Sequence, residues 1–116
     1  MDHGTFVLTL FNARTSAHVA HLQTGSYAAH MALDAFYGGI VDLADRFAEV
    51  SIGCYGPLRF AAASFSLEKD PVKMLKGLKV SVADVRKGCK DEALLNILAE
   101  TDELIASTLY KLERLS

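Results

Sequence analysis

The chain has 116 residues, of which 51% are apolar and 22% charged, with a net charge of −2 and a mean hydropathy of +0.21. That length supports one hydrophobic core, and the balanced charge with only two prolines excludes a disordered, collagenous or strongly cationic nucleic-acid-binding chain. So apolar a composition in so small a domain implies further apolar surface covered between subunits.

The segment Met1-Asp2-His3-Gly4-Thr5 lacks the basic region of a secretory signal. The longest charge-free stretch, Thr15 to Leu33, carries three histidines, which a membrane span does not tolerate. Cys54 and Cys89 form neither a CxxC nor a zinc pattern. The reading is a soluble protein of the reducing cytoplasm that has no membrane partner, with both thiols acting as packing residues.

Helical spacing dominates the chain. A first helix is expected over about residues 5–24, with Val7, Leu10, Ala13, Ala17 and Ala20 on one face; His3 falls in a frayed terminus. Gly25-Ser26 ends it and caps a second helix over about 26–52, whose stripe is Leu33, Phe36, Ile40, Leu43, Phe47 and Val50. Gly53-Cys54-Tyr55-Gly56-Pro57 stops that helix, and Leu58 to Leu67 reads as a connection with room for a short helix. Asp70-Pro71 opens a third helix to Lys87, about 70–87, and Asp91 starts a fourth over about 91–115. The expected fold is all-α: one four-helix bundle whose crossover joins helices 2 and 3.

The second helix also holds His30, Asp34, Asp45 and Glu49. At about 100° per residue they fall near 0°, 40°, 60° and 100°, one sector of the helix. Imidazole and carboxylate suit a divalent transition metal; a solvated acidic face would read the same way. At about 1.5 Å per residue, Asp34 and Asp45 lie ~16 Å apart, too far to share a metal within one chain. Yet 30 pairs with 49 and 34 with 45, each sum being 79. An antiparallel copy crossing at residues 39 and 40 would therefore set His30 and Asp34 against Asp45 and Glu49 of its partner. Gly38-Gly39 occupies that crossing. Two helical glycines cost about 2 kcal/mol relative to alanine, so they call for close approach by another backbone or by a bulky aromatic of the same chain. The first helix adds His18 and His21 on one face.

These residues resemble the Dps-like mini-ferritins of the ferritin-like superfamily. His30-Met-Ala-Leu-Asp34, followed eleven residues later by Asp45-Arg-Phe-Ala-Glu49, repeats the family's His-x-x-x-Asp and Asp-x-x-x-Glu spacing. The family's earlier histidine falls on His18 by spacing, or on His21 by the local string His21-Leu-Gln-Thr. The stretch His18 to Gly56, with Ser107-Thr-Leu-Tyr-Lys-Leu112, looks most like short ferritin-like proteins of tailed bacteriophages. The resemblance implies a ferritin-like bundle that binds iron and oxidises Fe(II) with oxygen or peroxide between two-fold-related subunits, in a dodecameric storage shell. In that role Asp34 and Glu49 would bind or bridge iron. His30 with His18 or His21 would complete the shell, and Asp45 would sit in it or just outside. Zinc is a possible substitute metal, and Tyr37 near the crossing a hydrogen-bond donor or radical quencher.

Two departures open other readings. The chain lacks the family's frequent lysine-rich DNA-binding tail, although seven of its twelve basic residues fall between Lys69 and Lys90 and Lys69, Lys73 and Lys76 share a face. Glu68, Asp70 and Asp84 dilute that stripe, so a solvated face is favoured over a phosphate contact. The chain also has no Glu-x-x-His, which argues against a di-iron centre inside one bundle. The alternatives to iron oxidation are a structural or phage-particle protein without redox turnover, and DNA binding without iron chemistry.

Overall fold

The computed structural model describes residues 1–61 and 64–116. Among these residues the chain is all-helical: α1 (His3–Gln23), α2 (Tyr27–Tyr55), α3 (Pro71–Lys87) and α4 (Glu92–Arg114). Each start is capped by a short polar side chain that accepts from orphan backbone N–H groups. Asp2 accepts from Thr5, Ser26 from Ala29, Asp70 from Val72 and Lys73, and Asp91 from Ala93 and Leu94. Pro71 fills the first turn of α3, where its missing N–H costs nothing.

Each helix packs on two others: α1 on α2 and α3, and α4 on the same two. Helices α2 and α3 therefore occupy opposite corners. Neighbours run antiparallel. Arg46 of α2 reaches Glu100 of α4 while Gly39 lies against Leu104, and α1 begins beside Gly88 and Cys89 but ends beside Lys69 and Pro71. The core they enclose centres on Phe6, Phe36, Phe47, Leu10, Leu33, Ile40, Leu75, Leu94, Leu98 and Ile105, all buried. At about 1.5 Å per residue, the 29 residues of α2 span the molecule's 43 Å long axis.

The connection from α2 to α3 runs the length of the bundle against α1. The Arg59 carbonyl seats on Gly4, Asn12 donates to the Ser66 carbonyl (3.2 Å), and the Glu68 N–H donates to Ser16 Oγ (3.2 Å). A Cβ at Gly4 would lie 1.9 Å from the Arg59 oxygen, so only glycine admits this path. No helix forms among the described residues of Leu58–Leu67; positions 62 and 63 of that expected segment lie outside the described residues.

Two local expectations are corrected. Helix α2 passes through Gly53 and Cys54 and ends at Tyr55, where Gly56 takes φ +88° and Pro57 follows. A helical glycine is an energetic cost, not a stop; the positive φ at Gly56 is the stop. Nor is His3 frayed. Its Nδ1 lies 2.6 Å from the buried Ser51 hydroxyl, and its ring meets Phe47 and Tyr55 edge-on. No described helix is long and apolar enough to cross a membrane.

Candidate functional site

The turn Thr24-Gly25-Ser26 brings the last turn of α1 against the first of α2. His21 and His30 meet there with ring centroids 3.7 Å apart and planes 18° from parallel. Each ring's Nδ1 donates to the main-chain carbonyl of the other residue, His21 to His30 O at 2.7 Å and His30 to His21 O at 2.8 Å. A carbonyl only accepts, so both Nδ1 atoms carry hydrogen and, in the neutral rings, both Nε2 atoms keep their lone pairs. Carbonyl-anchored Nδ1–H is how a protein fixes the tautomer and aim of a metal-binding imidazole. The His21 carbonyl, in the last turn of α1, gains a partner as well.

Because the planes are nearly parallel, the two in-plane lone pairs address separate positions and do not converge on one. His18 takes a different place: it stacks on Tyr37 (4.2 Å, 15°), and Tyr37 turns its edge to His21 (5.3 Å, 74°). A hydrogen bond with Asp34, burial and the Asp34 charge together raise the Tyr37 phenol above its ordinary pKa. Three histidines, Asp34 and Tyr37 thus occupy one end of the α1–α2 hairpin.

Asp45 and Glu49 lie elsewhere, exposed on the second half of α2. One turn apart, they hold each other's charge. A hydrogen bond with Asp45 and the Asp45 charge, reinforced by desolvation, raise the Glu49 carboxyl above the usual range. From His30 to Glu49 is ~28 Å along the helix. The six expected ligands therefore form two groups in one chain, and among the described residues no three His, Cys, Asp or Glu side chains are arranged to hold a metal ion.

Gly38 and Gly39 divide. A Cβ at Gly39 would meet the Leu104 side chain at 3.1 Å, so this glycine lets α4 approach α2; the neighbour within the chain is an aliphatic residue, not an aromatic one. Gly38 is exposed, with nothing within 4 Å of a Cβ. Beside it on the outward face of α2 stand Tyr27, Met31, Val41 and Ile52, all exposed. On the opposite side of the molecule, Lys73 pairs with Glu68 (3.8 Å), Lys76 with Glu113 (3.7 Å) and Lys79 with Asp102 (3.7 Å). Much of the basic stripe is already answered by carboxylates.

Sequence spacing placed the histidines on neighbouring faces but gave no sign of the reciprocal carbonyl bonds, which depend on how tightly the turn closes. It also missed the bidentate Arg46–Glu100 pair (3.2 and 2.8 Å) that ties α2 to α4. The signal was an arginine within an otherwise acidic face.

Residues 21–112 match the family of unknown function DUF5856, and the chain belongs to that family. His21, His30, Asp34, Asp45 and Glu49 fall inside the matched region; His18 falls before it. No curated protein and no solved structure matches the chain.

Proposed function

We propose that this protein is a Dps-like mini-ferritin that binds Fe(II) and oxidises it with oxygen or peroxide at sites shared by two-fold-related subunits. The reading rests chiefly on the His21–His30 pair, two imidazoles fixed through Nδ1 with both Nε2 atoms available for ligation. The raised Glu49 supports it from the other half, since two carboxylates in mutual repulsion gain from a shared cation. The contacts of the α2–α3 connection with α1 at Gly4, Asn12 and Ser16 are compatible with a ferritin-like crossover and support the reading.

Surface chemistry supports the dimer. The sum of 79 that pairs His30 with Glu49 and Asp34 with Asp45 also pairs Gly38 with Val41 and Tyr27 with Ile52. Tyr27 is 77% exposed and Ile52 44%, so a head-to-tail copy of α2 would cover an apolar residue with an apolar residue and set Val41 over the open space at Gly38. On this reading Asp34 and Glu49 hold iron through hard oxygens, His30 and His21 supply nitrogen, and Asp45 orients a ligand or bound water. Carboxylate oxygens favour Fe(III) and draw the couple toward oxidation. Twelve such subunits would make a storage shell.

The test is anaerobic Fe(II) titration, followed by oxygen or peroxide and ultraviolet absorbance. Wild type should bind and oxidise iron. Asp34→Ala with Glu49→Ala should lose both, and oxidation that survives the double change would refute the site. Mass measurement in solution checks the assembly. A structural bundle without redox turnover is the second reading, favoured because no complete metal-binding group is found among the described residues of one chain. It requires alanine at all four α2 ligand positions to leave assembly and its only function intact.

A further inference from the structure

The chain's two cysteines stand far from His18, His21 and His30, at the other end of the bundle, where His3 packs on Tyr55 and lines one cavity with Cys89. Cys54 lies in the last turn of α2 and is exposed; Cys89 follows Gly88 in the α3–α4 loop and is half-buried. Cys54 Sγ donates to Asp91 Oδ2 at 3.2 Å, and Cys89 Sγ reaches the Asp91 main-chain oxygen at 3.9 Å. Both sulfurs therefore rest on one residue, the N-cap of α4. A thiol on the surface beside a second, sheltered thiol is the arrangement in which an oxidised sulfur is resolved before it is over-oxidised.

We propose that Cys54 and Cys89 form a reversible intrachain dithiol, which a peroxide oxidises to a disulfide tying the end of α2 to the α3–α4 loop. Exposed Cys54 meets the oxidant. Its thiolate attacks one peroxide oxygen, the O–O bond breaks, and hydroxide leaves Cys54 as a sulfenic acid. Cys89 sulfur then attacks the Cys54 sulfur, and the sulfenic oxygen departs as water with the Cys89 proton. In sum, two thiols and one hydrogen peroxide give one disulfide and two waters. The bond replaces the two sulfur–Asp91 contacts and closes a loop containing the crossover and all of α3, a constraint on the unfolded chain.

Asp91 sets the rate. Its carboxylate accepts the Cys54 proton and, with desolvation, raises that thiol above its ordinary pKa, so little thiolate is present at neutral pH. The Tyr55 phenol, also facing Asp91, is raised chiefly by burial and adds no positive charge to offset it. The dithiol is thus slow to oxidise until peroxide is abundant. It does not depend on iron binding.

Excess hydrogen peroxide on the purified full chain, followed over time by intact mass and non-reducing gel, tests this. The expected product loses about 2 Da, runs as a single chain, regains its mass with dithiothreitol and yields one peptide pair joining Cys54 to Cys89. Cys54→Ser and Cys89→Ser each abolish the loss. Asp91→Asn keeps a good helix cap and should speed both oxidation and iodoacetamide labelling of Cys54. An unchanged mass, a gain of about 16 or 32 Da without the loss, or a disulfide-linked dimer overturns the proposal. Unchanged or slower labelling in Asp91→Asn overturns the part assigned to Asp91.

Discussion

His21 and His30 are bound to each other's backbone, not to each other's rings: each Nδ1 donates to the opposite carbonyl while the two imidazoles stack at 3.7 Å. The same contacts that close the α1–α2 turn also aim both Nε2 atoms, so local stability and the proposed metal binding would be joined at this point.

His21→Ala should therefore cost about 1–3 kcal/mol, since a buried side chain and its hydrogen bond to the His30 carbonyl are lost. Urea unfolding gives the stability change and metal titration the affinity. Loss of metal binding with no loss of stability would contradict the coupling.

Glu49 and Glu100 should respond to pH in opposite senses. The Glu49 carboxyl is raised in the folded state, so its repulsion from Asp45 destabilises at neutral pH and is relieved as pH falls through that raised pKa. Glu100 is lowered by its hydrogen bond and charge pairing with Arg46; its contribution is present above the unfolded pKa near 4.5 and lost as pH falls through the folded value. Thermal melts should show Glu49→Gln more stable than wild type at pH 7 and Glu100→Gln less stable. Both differences should shrink toward pH 3.

Gly4 and Gly38 should separate cleanly. Gly4→Ala drives a Cβ into the Arg59 carbonyl and should cost about 1–3 kcal/mol. Gly38→Ala has open space in an exposed helix and should stabilise the isolated chain by about 1 kcal/mol. If a partner's Val41 fills that space, the same change weakens self-association, seen as a lower dimer fraction in sedimentation. Stabilisation with unaltered association would remove Gly38 from the interface.

His3→Ala should leave the buried Ser51 hydroxyl without its partner and cost about 1–3 kcal/mol. Adding Ser51→Ala should recover part of that loss, because no orphaned polar group then remains. A double-mutant cycle by denaturant unfolding measures the coupling.

The helices were legible because their signals are local: Ser26, Asp70-Pro71 and Asp91 sit where caps are required, and the apolar stripes fall on the buried faces. Gly53 misled because helix interruption depends on φ, and only Gly56 adopts a positive value. His3 was invisible as an anchor, since Ser51 lies 48 residues away. The difference between Gly38 and Gly39 depends on where α4 lies, which neither residue announces. Cys54, expected as packing, is exposed on Asp91 because α2 runs past its expected end and carries the thiol beyond the core.

The position of the long return segment also separates local from distant contacts. Each hairpin, α1–α2 and α3–α4, joins neighbours in the chain and can form quickly on its own. In the folded chain the segment between them lies on the flank of α1, with the Arg59 carbonyl seated in the notch at Gly4. Joining the hairpins closes a longer loop than either turn does, so Gly4→Ala, which crowds that notch, is expected to slow refolding in stopped-flow measurements more than it alters early helix formation.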